Sequence, residues 1–122
     1  MLITIKNIYI KEKAFNQILS GKKTIEGRLF SKFFSNINVN DYIYFINNNQ
    51  KILCKITIID RFETFINMLK NINISNINPD AKSLEDSINI YLKTEQKPYG
   101  IYTPEMELKN GVIAIHFEKK EN

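Results

Sequence analysis

The chain is poor in the residues that usually punctuate or cross-link a fold. Its 122 residues include one cysteine, Cys54, one histidine, His116, no tryptophan, three prolines and four glycines. A lone cysteine excludes an intramolecular disulfide framework. One cysteine with one histidine also leaves no His/Cys zinc site within a single chain, so neither a metal nor another cofactor is expected. No apolar stretch approaches the roughly 20 residues that span a bilayer, which argues against a membrane partner. The opening Met1-Leu2-Ile3-Thr4-Ile5-Lys6 lacks the basic region, apolar run and cleavage site of a secretory signal. No internal repeat and no Pro- or Ser-rich linker divides the chain. The expectation is a soluble, cytoplasmic (intracellular) protein made of one domain over residues 1–122.

What is abundant is uneven. Isoleucine occurs 22 times and asparagine 16 times, nearly a third of the chain. With the many lysines, this reads as the codon drift of an A- and T-rich genome, in which a single Lys or Asn says little. The glycines and the two arginines, Arg28 and Arg61, say more. The net charge of +4 and a pI near 9.1 favour polyanions, RNA first, with DNA or an acidic protein partner as lesser alternatives.

Apolar spacing predicts a strand over Leu2 to Ile10 and a helix over Glu12 to Ser20, with Phe15, Ile18 and Leu19 on one face and Gly21 ending it. Lys23 to Leu29 reads as extended, and Phe30 to Asn40 as a connection with one helical turn around Ser31 to Phe34. Tyr42 to Ile46 and Lys51 to Ile59 form a hairpin across Asn47-Asn48-Asn49-Gln50, the second strand running on toward Phe62. Thr64 caps a helix over Phe65 to Lys70, Ser83 another through Leu84, Ile88, Tyr91 and Leu92, and Thr103-Pro104-Glu105 starts a third that Asn110-Gly111 stops. Asn71 to Pro79 has no clean period and reads as loop. Val112 to Glu118 is the last strand. Five strands with interspersed short helices predict an α+β fold, a small mixed barrel.

Chemistry concentrates in Gly21-Lys22-Lys23-Thr24-Ile25-Glu26-Gly27-Arg28, which holds two of the four glycines and one of the two arginines. Strand alternation puts Glu26 and Arg28 on one face with Thr24. Lys23, at the turn into the strand, can swing its stem toward the same cleft, and an exposed Lys23→Ala is expected to change stability by no more than about 0.5 kcal/mol. Gly27 leaves room for a ligand or another backbone to approach. Glu26 can hold Arg28 or Lys23 in place, and the cations can bind a phosphate or carboxylate. A plain surface ion pair accounts for the same spacing.

Gly21-x-Lys23-x-x-Glu26-x-Arg28 resembles the signature of the ASCH domain, a family with a PUA-like β-barrel. The similarity extends to the helix Ala14-Phe15-Asn16-Gln17-Ile18-Leu19-Ser20 before the motif and to Asn40-Asp41-Tyr42-Ile43-Tyr44-Phe45. It continues through Arg61-Phe62-Glu63-Thr64-Phe65 into Met68-Leu69, and through Ile101-Tyr102-Thr103-Pro104-Glu105 to Gly111-Val112-Ile113-Ala114-Ile115. This resemblance implies a PUA-like small mixed barrel and association with RNA or a nucleotide-like ligand. In one branch it implies hydrolysis of acetylated cytidine by a lysine, a threonine and a glutamate; other members have been described as ribonucleases. Lys23 matches that lysine. Glu26 stands in place of the threonine, and the stretch Ile74 to Asp80 carries no match to the glutamate.

The expected nucleic-acid-binding residues are thus Lys22, Lys23, Glu26, Arg28 and Tyr102, the last because it precedes a helix start. Under the alternative of a small hydrolase, Lys23 and Glu26 become catalytic. A closed, nucleoside-sized cavity around Lys23 would favour hydrolysis, and an open basic groove polymer binding. Tyr42, Tyr44, Phe45 and the Phe33-Phe34 pair are further stacking candidates, most of them expected in the core. His116 is expected half-exposed on its strand and Cys54 packed as a small hydrophobe.

Overall fold

Alternating apolar side chains build five strands in the computed structural model, which describes residues 5–96, 98 and 100–120. The strands are β1 (Ile5–Tyr9), β2 (Ile25–Leu29), β3 (Tyr42–Asn47), β4 (Gln50–Phe62) and β5 (Val112–Lys119). The helices are α1 (Glu12–Leu19), α2 (Phe65–Asn71), α3 (Ile74–Ile77), α4 (Leu84–Tyr91) and α5 (Pro104–Asn110), with a 3₁₀ turn at Lys32–Phe34. The expected start of the first strand at Leu2 lies outside the described residues.

The strands form one mixed sheet in the order β1-β3-β4-β5-β2. β1 runs parallel to β3, and every other neighbour is antiparallel. A register shift between Ile56 and Ile58 bends β4, as an extra residue in one strand does, and the sheet curls into a half-barrel. β1 and β2 are the two edges. The hairpin is tighter than four turn residues suggest: Asn47 pairs with Gln50, so only Asn48 and Asn49 turn the chain, and Asn48 takes a φ of 53°.

β5 feeds both sides of the sheet. Ile113, Ile115 and Phe117 enter the concave core with Ile8, Ile43, Phe45, Ile52 and Ile56, closed by Phe15 and Ile18 of α1. Val112 and Ala114 enter a second core with Ile25, Phe65, Met68, Leu69 and Ile77 beneath α2 and α3. A strand buried on both faces reads as an unbroken apolar run, which is what Val112 to Ile115 shows.

Thr64, Ser83 and Thr103 cap their helices as expected, each hydroxyl accepting from the backbone N–H three residues on. Gly21 follows α1 with a φ of 82°, the left-handed conformation that glycine adopts freely. One expectation fails. Asn71 to Pro79 is not all loop, because α3 occupies its centre. The Asn73 side chain caps this helix by accepting from the Ser75 N–H, and Ile77 is fully buried. A four-residue helix is too short for periodicity to reveal.

Candidate functional site

Three charged residues of the motif form a chain at the start of β2. The Lys23 ammonium donates to the Ile77 carbonyl at 2.6 Å and lies 3.2 Å from Glu26 Oε1. Glu26 Oε2 accepts from Arg28 Nε at 2.7 Å. Arg28 Nη2 continues across the open seam of the half-barrel to the Tyr9 carbonyl on the other edge strand, at 3.1 Å. Strand alternation thus brings Glu26 and Arg28 together, and the carboxylate holds both cations, one on each oxygen.

Two expectations about these residues need correction. Lys23 is not a mobile surface lysine: only 4% of it is exposed, because α3, missed in the sequence, supplies the carbonyl that anchors it. A stability-neutral Lys23→Ala is therefore not expected, since removing one partner of a buried pair is costly. Gly27 lines the cleft, but the room left by its missing side chain is taken up by packing. A Cβ there would lie 2.8 Å from Met68 Cε and 3.0 Å from Ile77 Cδ1, so the missing side chain admits the packing of α2 and α3 against β2.

Burial of Glu26 would raise the pKa of its carboxyl, but the charges of Lys23 and Arg28 and the hydrogen bonds from both outweigh it and lower the pKa below the ordinary 4.5. The site therefore holds an ionised carboxylate between two cations at neutral pH. Arg28 keeps 28% of its side chain exposed. Its two assigned hydrogen bonds use two of the five guanidinium N–H groups.

The exposed part of Arg28 faces a cleft of about 780 Å³ lined by β1, α1, β2, α3 and α4. Its charged lining balances Lys11, Lys13, Lys23 and Arg28 against Glu26, Asp80 and Asp86, and Lys13 meets Asp80 at 3.2 Å. Tyr9, Ile90, Ile101, Tyr91 and Tyr102 supply apolar and aromatic wall. Tyr102 is half-buried, stacked on Phe65 with ring centres 5.4 Å apart, and Phe65 stacks in turn on Tyr91 at 4.6 Å. Lys22 is exposed and does not line the cleft.

Sequence reasoning missed a buried polar set behind the aromatic wall. The Asn78 amide donates to the Tyr91 hydroxyl at 3.1 Å and accepts from Ser87. Burial and the nearby Glu26 carboxylate raise the Tyr91 pKa, keeping the phenol neutral. The helical spacing of Tyr91 marked it for the core; the partner of its hydroxyl, Asn78, lay in the presumed loop.

The remaining candidates stand apart. Cys54 is fully buried, and desolvation pushes its thiol up to about 12, so it carries no nucleophile at neutral pH. His116 pairs with Asp60 at 3.1 Å and does not line the cleft. Among the described residues no cluster of His, Cys, Asp and Glu is arranged to hold a metal ion, and no helix is long and apolar enough to cross a membrane.

Solved structures share this fold. The crystal structure of hypothetical protein PH0355 superposes with a TM-score of 0.82 at 31% identity, over 96% of this chain and 100% of that one. The solution structure of protein PF0455 from Pyrococcus furiosus gives 0.73 at 28% identity, over 98% and 100%. No curated protein matches significantly. The profile of the ASCH domain covers residues 8–121, from β1 to past β5, and includes the whole Lys23–Glu26–Arg28 chain. With profile and fold in agreement along nearly its full length, the chain belongs to the ASCH domain family.

Proposed function

We propose that the cleft binds a nucleotide-like ligand, free or as part of RNA, with Arg28 receiving its phosphate. The observation that carries this reading is the arginine fixed at two points, on Glu26 and on the Tyr9 carbonyl, with donors left over beside an aromatic wall. A preoriented guanidinium fork suits a phosphate and loses little freedom on binding it. Tyr102, already backed by Phe65, offers a ring edge or face to a base. Four cations against three carboxylates make a weak electrostatic footprint for a long polyanion, and the volume lies within the range of small-ligand sites, about 300–1,000 Å³. Both features favour a compact ligand. Lys23 and Glu26 then act as the frame that orients Arg28.

The same nucleoside-scale volume is what favours the hydrolase alternative, with Lys23 and Glu26 as catalytic groups. Their chemistry runs against it. A lysine must be neutral to attack, and the Lys23 ammonium is committed to Ile77 and Glu26. A carboxylate whose pKa is lowered is a weak general base.

Calorimetric titration of mononucleotides and short RNAs at two salt concentrations tests the reading. Arg28→Ala is expected to weaken binding at least tenfold and to flatten the salt dependence, and Arg28→Lys to restore only part of it. Unchanged affinity in Arg28→Ala would overturn the site. Turnover of acetylated cytidine that Lys23→Ala abolishes would assign the hydrolase instead.

A further inference from the structure

The outer surface of β1, β3 and β4 is an aromatic and basic sheet face that neither core uses. In β3, Ile43 and Phe45 point into the concave core while Tyr42 and Tyr44 point away and remain half-exposed. The register sets Tyr42 opposite Lys55 and Tyr44 opposite Leu53, with Ile46 opposite Lys51. On the other flank, β1 adds the exposed Tyr9 beside Ile46. Lys120 joins at the far flank, its N–H donating to the Leu53 carbonyl at 2.9 Å. None of these side chains belongs to either core.

We propose that this face is a second nucleic-acid surface, a stacking platform for a single strand of RNA or DNA. Tyr42 and Tyr44 take successive bases, while Lys51, Lys55 and Lys120 take phosphates. Two residues apart on one strand, the rings are spaced about 7 Å, and flat half-exposed rings beside cations recognise bases with little regard to sequence. The Tyr44 ring already presents its π-face to a cation: Lys51 Nζ lies 4.5 Å from its centre. An arriving base would take that position, and the flexible lysine stem would move the ammonium to a phosphate. Charge selects the occupant. Among the described residues the three lysines meet one carboxylate on this face, Glu118, held by Lys120 at 2.7 Å, so a polyanion with flat rings is complementary. The platform does not depend on the cleft taking a ligand.

Fluorescence anisotropy with labelled ten-nucleotide single strands of RNA and DNA, and with the matching duplex, tests it. Single strands of one or both kinds should bind more tightly than the duplex, and excess adenosine monophosphate should not displace them. Tyr42→Ala and Tyr44→Ala are each expected to weaken binding about fivefold or more, and Lys51→Glu with Lys55→Glu to lower the salt slope. Photo-crosslinking of a 5-bromouracil strand to the unaltered protein, mapped by mass spectrometry, needs no variant to fold and should mark Tyr42 or Tyr44. Crosslinks confined to Tyr102, or complete displacement by the mononucleotide, would place the strand in the cleft and overturn the platform. So would affinity indifferent to both tyrosines in folded variants. Self-association in sedimentation velocity that Tyr44→Ala abolishes would show a second copy of the chain on this face, and would overturn it as well.

Discussion

Glu26 touches both Lys23 and Arg28, so its neutralisation strands two charges at once. Glu26→Gln keeps the shape and removes the charge; a loss of about 3 kcal/mol is expected, as when one partner of a buried ion pair is deleted. Urea unfolding measures it. The pH dependence has a definite sign. The folded carboxyl titrates below 4.5, so its contribution is complete above that pH and is lost as pH falls through the lower folded value. The gap between wild type and Glu26→Gln should therefore narrow on acidification from pH 5 downward. A constant gap would mean that the ion pairs contribute no stability. Lys23, on the other side of the same carboxylate, is buried as well, so its loss should also lower stability.

At the scale of elements, the helices lean on one another's ends. Glu107 of α5 is buried, and its Oε2 accepts from the Phe65 N–H, the first of α2, at 2.7 Å. A carboxylate at a helix start satisfies an otherwise orphaned donor and complements the dipole. Glu107→Ala should cost about 1–3 kcal/mol and destabilise α2, seen as a lower thermal midpoint with faster amide exchange at Phe65 and Ile66. The contrast with Thr64 shows what could be read from sequence. Thr64 caps the same helix from the adjacent position, so a local rule finds it, as it finds Ser83, Thr103, Gly21 and the Glu26–Arg28 alternation. Glu107 arrives from a helix far along the chain, and the Ile77 carbonyl reaches Lys23 from 54 residues away. The motif residues and the five strands were therefore legible, but the burial of Lys23, the role of Gly27 and the short α3 were not. Each of those depends on a tertiary neighbour that no local period announces.

Across the whole molecule, the cleft and the outer face of β3 lie on different sides of one curled sheet, with the exposed Tyr9 at the corner they share. The order β1-β3-β4-β5-β2 also has a consequence in time. β2 leaves the ribosome early, yet its sheet partner is β5, and Glu26 pairs with Ile115. At about 5–20 residues per second, the strand waits on the order of ten seconds for that partner. An unpaired apolar strand would be a hazard over such an interval, but this one emerges behind Gly21-Lys22-Lys23 and carries Glu26, Gly27 and Arg28. Charges in this segment, those of Lys23, Glu26 and Arg28 among them, oppose strand pairing with another chain. Chains stalled before Val112 should show protected amides in the β3–β4 hairpin and free exchange in Ile25–Leu29 under pulsed hydrogen exchange; early protection of β2 would refute that order. The side chains that would oppose premature pairing of the nascent strand are thus the ones that later form the Lys23–Glu26–Arg28 chain.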